Sequence, residues 1–262
     1  MNSRRASSAD SATVVVAVYN EAAHLEAMMD RLLAVTRGRP DFDSVVVVDD
    51  ASGDGSAGLL SRWADAADVT LLTHARNRGK GAAIRTALGA VRSEWVVIQD
   101  ADLEYDPADL PSLLVPIVEG QADVVYGSRR LSLDGRPRAR SLRDVYAWGV
   151  GVLNVAVRMI YGLRLTDEAT CYKAFRTEDL RRMDLRCERF EFCPEVTAKA
   201  ARMGLRLIEV PIRYSPRTRR EGKKIGWRDA VVALRTLWRY RRWVPAEGAV
   251  GRRNEDEHPG GP

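Results

Sequence analysis

The sequence predicts an α/β fold, a mostly parallel sheet with helices on both faces. Three observations lead there. Short runs of β-branched apolar residues alternate with segments of helical periodicity. The runs are continuously apolar, as strands buried on both faces are. Each run is separated from the next by about one helix length, as βαβ units require.

The elements follow in order. Val14–Val18 (VVVAV) is the first buried strand, and residues 21–35 set Leu25, Met28, Met29, Leu32 and Leu33 at helical spacing. Val45–Val48 is the second strand, residues 56–67 read as a helix, and Val69–Leu72 is the third strand. Residues 80–91 form the next helix and Trp95–Ile98 the fourth strand. Residues 146–163 are nearly all apolar but are broken by Gly149, Gly151, Asn154 and Arg158. That stretch suits a core helix or one resting at a membrane interface, and is too interrupted to span a bilayer. Residues 227–243 place Trp227, Val231, Leu234 and Trp238 on one helical face and Arg228, Arg235, Arg239 and Arg242 on another. This is the pattern of an interfacial helix with snorkelling arginines, or of a helix packed on the sheet. Residues 1–12 and 246–262 are expected to be disordered tails. They flank a folded domain at 13–226 and the amphipathic helix at 227–245.

Composition narrows the function. The 262 residues carry 41 Lys and Arg against 36 Asp and Glu, a net charge of +5. Such an excess suits phosphate, nucleic acid or an anionic membrane. Nucleic acid is disfavoured, because aromatic and basic residues do not interleave in a recognisable reading motif. No apolar stretch reaches membrane-spanning length, and no signal-peptide run follows Arg4 and Arg5, so a cytoplasmic location is expected. Cys171, Cys187 and Cys193 are odd in number and lack a CxxC spacing, which argues against a disulfide framework or a structural zinc. His24, His74 and His258 are isolated. Any metal should therefore be held by carboxylates, which favours Mg²⁺ or Mn²⁺.

In parallel sheets ligands bind beyond the carboxyl ends of the strands. Four strand ends in succession carry polar, acidic or Gly-rich segments: Tyr19-Asn20-Glu21, Asp49 to Gly55, Arg76 to Gly81, and Gln99 to Glu104. Asp100 and Asp102, straddling Ala101, can face one hard cation, and Glu104 can reach the same ion. Taken alone, such a pair also reads as an acidic turn before the helix start at Pro107. One of Asp49 and Asp50 can accept from a nucleotide base, while Ser52 or Asp54 can cap the next helix. Asn77-Arg78-Gly79-Lys80-Gly81 is a Gly-flanked basic turn opening a helix, which suits an anion, but it lacks the dinucleotide and P-loop spacings.

VVVAVYNE (14–21), VVVVDDASGDG (45–55), NRGKGA (77–82), VVIQDADLEYDP (96–107) and VVYGSR (124–129) together resemble the family 2 glycosyltransferases of GT-A fold, which have a Rossmann-like sheet. CYKAFR (171–176), FEFCPE (190–195) and EVPIRYSPRTRREGKKIG (209–226) resemble their polyprenyl- or dolichyl-phosphate subgroup. The resemblance spans residues 13–240 and implies roles. Tyr19 and Glu21 would line a nucleotide pocket, with Ala17 where many relatives have proline, and Asp49 or Asp50 would hold the base. Asp100, Ala101 and Asp102 would sit against the diphosphate, the two carboxylates and Glu104 holding Mg²⁺ or Mn²⁺. Arg129 would contact phosphate, beside Lys80. The basic loop at 217–224 would fold over the nucleotide-sugar through Arg217 or Arg219 and through Lys223 or Lys224. It lacks the serine that relatives carry there.

Six arginines between 129 and 143, opposed only by Asp134, form with that loop a basic surface suited to an acceptor phosphate and lipid headgroups. The activity expected is inverting transfer of a hexose from GDP-mannose or UDP-glucose to a polyprenyl phosphate. Anchoring would be peripheral, or through a membrane-anchored partner. Three rivals stand beside it. A hydroxyl acceptor would require a base, with Asp167 or Glu168 as candidates. A nucleotidyltransferase normally has a Gly-rich turn after strand one, which this chain lacks. A catalytically silent nucleotide-binding subunit would not need the intact Asp-x-Asp.

Overall fold

The computed structural model describes residues 11–132, 145–217 and 227–245, and the side chains of these except 145–148 and 227–228. The arginines at 136, 138, 140 and 143, together with Arg219, Lys223, Lys224 and nearly all of both tails, lie outside the described residues.

Seven strands form one sheet: β1 (Ala12–Val18), β2 (Phe42–Asp49), β3 (Val69–Thr73), β4 (Trp95–Asp100), β5 (Val124–Ser128), β6 (Lys173–Arg176) and β7 (Leu207–Pro211). Their order is β3-β2-β1-β4-β6-β5-β7. Only β6 runs antiparallel to its neighbours, between β4 and β5. Val14, Val15, Val16 and Val18 in β1, Val45–Val48 in β2 and Val96–Ile98 in β4 are buried without alternation. Successive residues point to opposite faces, so both faces of the central sheet are covered. Full burial of each such side chain stabilises the fold by about 1.5–3 kcal/mol.

The helices are α1 (Ala22–Thr36), α2 (Ser56–Leu60), α3 (Lys80–Leu88), α4 (Leu110–Val118), α5 (Val145–Tyr161), α6 (Thr177–Arg182), α7 (Phe192–Met203) and α8 (Trp227–Tyr240). Several boundaries correct the periodicity reading. β1 starts at Ala12, whose N–H donates to the Asp41 carbonyl at 2.9 Å, so the amino-terminal tail is shorter than expected. The helix expected over 56–67 is α2 followed by one 3-10 turn at Ser61–Trp63. The helix expected over 80–91 stops at Leu88, before Gly89, where the chain turns into bonds with Thr86 and Ala87 carbonyls. α8 ends at Tyr240 in a turn closed by Trp243 N–H to the Tyr240 carbonyl at 2.9 Å.

α5, α7 and α8 build a second small core from Leu153, Val157, Ala198, Ala233, Leu237 and Tyr240. Lys199 of α7 is 1% exposed, pairs with Glu195 at 2.6 Å, and lies under the rings of Tyr240 and Trp243. The buried stripe of α8 is therefore Ala233, Thr236, Leu237 and Tyr240. Val231 and Trp238, expected together on the apolar face, are 38% and 59% exposed. Arg241 stacks on Trp238 at 3.9 Å. On α5 the turns from Val152 through Val155 to Met159 stand outward, 52%, 55% and 76% exposed. Among the described residues no helix is long and apolar enough to cross a membrane.

Candidate active site

The strand register sets Val18 beside Asp49 and Ala17 beside Asp100. The ends of β2 and β4 thus flank the end of β1, where the chain switches from one side of the sheet to the other. That is the crevice in which open α/β sheets bind ligands. Among the described residues four non-glycines have positive φ, and three of them lie in the loops leaving these strands: Asn20 (53°), Ala51 (61°) and Leu103 (57°). Each costs about 1–3 kcal/mol and persists only where its surroundings enforce it. Cross-bracing supplies the enforcement. Asn20 N–H donates to Ser52 Oγ at 2.9 Å, and Gly53 N–H returns to Asn20 Oδ1 at 2.8 Å. Asp54 accepts from Ala22 N–H at 2.9 Å and from Ser56 N–H at 3.0 Å, while the cap position of α2 itself is Gly55, so neither Ser52 nor Asp54 is the cap residue.

Asp49 and Asp50 separate in role. Asp50 accepts from Arg78 N–H at 2.8 Å and Gly79 N–H at 2.6 Å, and touches His74 Nδ1 at 2.6 Å. His74 reaches on to Thr86 Oγ1 at 2.8 Å. The anion that the Gly-flanked turn suits is therefore the protein's own Asp50. Asp49 accepts only a weaker pair from Ser52 N–H at 3.3 Å. Sequence reasoning missed His74, because its isolation spoke only against a metal. Gly79 is required twice over: its φ is +92°, and a Cβ would lie 2.5 Å from the Glu188 carbonyl oxygen. A Cβ on Gly81 would lie 2.4 Å from the Cys187 carbonyl, so residues 187–189 roof this turn.

The carboxylates at the end of β4 come with cations. Lys80 Nζ is paired with Asp100. Burial acts to lower the Lys80 ammonium, but Asp100 outweighs it and the group is raised. Arg217 binds three carboxylates from two loops: Nη1 to Glu21 at 2.8 Å, Nη2 to Asp102 at 2.7 Å and Nε to Glu104 at 3.3 Å. Tyr214 OH donates to Glu104 as well. The 213–217 segment is pinned by Arg213 to Asp109 at 2.7 Å and by Ser215 N–H to the Glu104 carbonyl at 2.9 Å. Burial, then the charge of Asp100, pushes Asp102 up to about 7, with Glu104 adding and Arg217 opposing.

Among the described residues no group of three or more His, Cys, Asp or Glu forms a ready-made metal cage. Mg²⁺ and Mn²⁺ seldom need one, since one or two carboxylates plus substrate phosphates suffice. Asp100 and Asp102 fit that requirement. Glu104 is turned to Tyr214 and Arg217.

Arg129, after β5, is locked differently. Its Nε and Nη2 each donate to Asp167 at 2.7 Å, and its own N–H adds a bond at 3.0 Å. Glu209 of β7 in turn accepts from Thr166 N–H at 2.7 Å and Asp167 N–H at 2.8 Å, fixing the loop that presents Asp167. The guanidinium lies 5.0 Å from the Tyr214 ring and 5.9 Å from that of Tyr105. Burial would raise the Asp167 carboxyl, but Arg129 overrides it and holds the group below its ordinary range. Asp167 and Glu168 are both 0% exposed. Both Asp167 oxygens are engaged by Arg129. Tyr19 is 38% exposed at the rim and Ala17 half-buried, whereas Ala101 is buried behind the carboxylates.

The sequence matches the family model "Glycosyl transferase family 2" over residues 13–183. It is 31% identical over 246 residues to an undecaprenyl-phosphate mannosyltransferase of Micrococcus luteus, covering 90% of this chain and 98% of that one. Other curated relatives are longer, and the chain spans 60–62% of their length. A mannosyltransferase of Pyrobaculum calidifontis, solved in complex with GDP-Man and Mn²⁺, is 28% identical with a TM-score of 0.51, covering 76% of this chain and 54% of that one. Glucosyl-3-phosphoglycerate synthase of Mycobacterium tuberculosis shares the fold at a TM-score of 0.67 and 19% identity, over 91% of this chain and 82% of that one.

Proposed function

The chain belongs to glycosyltransferase family 2 and has the GT-A fold, and from that premise we propose that it transfers a hexose, with inversion, from a nucleoside-diphosphate sugar to a polyprenyl phosphate. One observation carries the choice of acceptor: Asp167, the candidate base for a hydroxyl acceptor, is wholly buried and bound through both oxygens to Arg129. A phosphate monoester needs no base, being largely dianionic above a second pKa of about 6. It needs positioning by cations instead. The Micrococcus relative carries an undecaprenyl-phosphate name, which supports the same choice. Two relatives above 25% identity are named for mannose and others, at 29–32%, for 4-deoxy-4-formamido-L-arabinose, so GDP-mannose is tested beside UDP-glucose.

In this reading an acceptor phosphate oxygen attacks the anomeric carbon as the bond to the diphosphate breaks on the opposite side. Mg²⁺ or Mn²⁺, held by Asp100 and Asp102, would stabilise charge on the leaving diphosphate. Tyr19, Glu21 and Asp49 line the nucleotide end. Lys80 holds Asp100 in place, and Arg129, fixed by Asp167, presents a permanent positive charge toward phosphate. Arg217 or Arg219 and Lys223 or Lys224 would complete the phosphate contacts.

With that acceptor the enzyme would work at the cytoplasmic face of an anionic membrane, bound peripherally or through an anchored partner. The outward row of Val152, Val155 and Met159 on α5, with Trp238 on α8, supports this. Residues 145–164 and 227–245 hold seven arginines against Asp229 alone. Incubation with labelled GDP-mannose, Mn²⁺ and a short polyprenyl phosphate should yield label extractable into organic solvent. Label recovered only on a water-soluble alcohol or as free sugar would overturn the acceptor.

A further inference from the structure

We propose that Arg217 is the resident counter-ion of the donor site: it competes with the divalent metal for Asp102, and passes to the nucleotide's diphosphate when metal and nucleotide arrive together. The inference rests on the nucleotide-sugar reading of this site and adds to it a coupling between its two ligands.

Three observations carry it. Arg217 spreads its guanidinium over Glu21, Asp102 and Glu104, each on a loop at the carboxyl rim, rather than closing on one partner. The Asp102 oxygen it engages belongs to the pair expected to bind metal, so guanidinium and a metal ion on that oxygen are alternatives. Among the described residues the ion pairs at this rim are Lys80 with Asp100, and Arg217 with Glu21, Asp102 and Glu104. Adding a divalent ion beside a retained Arg217 would bring two cations against one oxygen. Displacing Arg217 without a new anion would strand its charge in a pocket where its side chain is 13% exposed. A diphosphate resolves both, because it supplies oxygens to the metal and a partner to the freed guanidinium. Metal alone must therefore bind against Arg217, and nucleotide must relieve it. Such a coupling between two ligands is reciprocal and typically amounts to about 5–150-fold in affinity.

The test is equilibrium binding of Mn²⁺ to the full chain, followed by electron paramagnetic resonance of the free ion, with and without GDP or UDP. Wild type is compared with Arg217→Gln and Arg217→Lys, and circular dichroism confirms that each variant is folded. In Arg217→Gln, Mn²⁺ alone should bind about ten-fold tighter than in wild type, while nucleoside diphosphate in saturating Mn²⁺ binds about ten-fold weaker. Arg217→Lys, which keeps the charge without the fork, should fall between. A purely structural role would weaken both affinities together. Unchanged or weaker binding of Mn²⁺ alone to Arg217→Gln would overturn the proposal. The metal-only arm contains neither nucleotide nor acceptor, so it decides on Arg217 even if lipid transfer is not found. Failure of both GDP and UDP to bind at any Mn²⁺ concentration would count against the sugar-donor reading instead.

Discussion

Arg129 and Arg217 are both arginines at one rim, both paired with carboxylates, and both near Tyr214. Arg129 meets a single carboxylate through both its oxygens, that carboxylate is 0% exposed, and Glu209 holds its loop from behind. Arg217 shares three carboxylates across two loops, 9–16% exposed at the side chain and none of them closed bidentately. The first arrangement has one low-energy state. The second has partners that other cations can take over. A site that must bind and release a charged substrate therefore uses both: a fixed charge as reference and an exchangeable one as response.

The largest effect expected is chemical. Asp100→Asn and Asp102→Asn should each lower the rate of sugar transfer on the order of 10³-fold, measured as initial rates at saturating Mn²⁺. If either keeps near wild-type activity, the carboxylates around Arg217 are structural and the contrast collapses.

The next effect is on stability. Asp167→Asn removes one partner of a buried ion pair and should cost about 3–5 kcal/mol in urea unfolding. Arg217→Gln, whose carboxylate partners are less completely buried, should cost less. Equal costs would mean that the two arginines are held alike.

The pH dependence sharpens the same point. The folded pKa of Asp167 lies below its ordinary 3.8, so its stabilisation is complete above that value and is lost as pH falls through the folded pKa. The stability gap between wild type and Asp167→Asn should therefore stay level from about pH 7 to about pH 5 and close only at more acid pH. A gap that closes near neutrality would contradict the locked pair.

The smallest effect on stability belongs to the surface away from both arginines. Trp238→Ser should change unfolding free energy by less than about 0.5 kcal/mol. Sedimentation with vesicles containing anionic lipid should nonetheless weaken several-fold, and unchanged sedimentation would remove α8 from the membrane contact.

Much of the fold was legible because its signal is local. Continuous valine runs in β1, β2 and β4 can be buried only in a sheet covered on both sides, and the polar segments after them mark the rim. α2 and α3 were read too long, because helical periodicity continues through residues that the chain uses to turn. α8 was legible as amphipathic, but its buried stripe was not. Ala233, Leu237 and Tyr240 face inward because α5 and α7 offer a matching apolar surface, and Trp238 is left outside.

The site divides in the same way. The parallel α/β architecture, the Asp100–Asp102 pair at a strand end and a surplus of arginine suited to phosphate are readable in residue order. These depend on residue type and spacing along one strand or turn. Which charges meet depends on how the chain folds back on itself. Asp50 turns inward to hold Arg78 and Gly79, Asp167 locks Arg129 across 38 residues, and Arg217 returns across 115 residues to Asp102. Ion pairing depends on distance in space and on burial, and neither is written in the order of the residues.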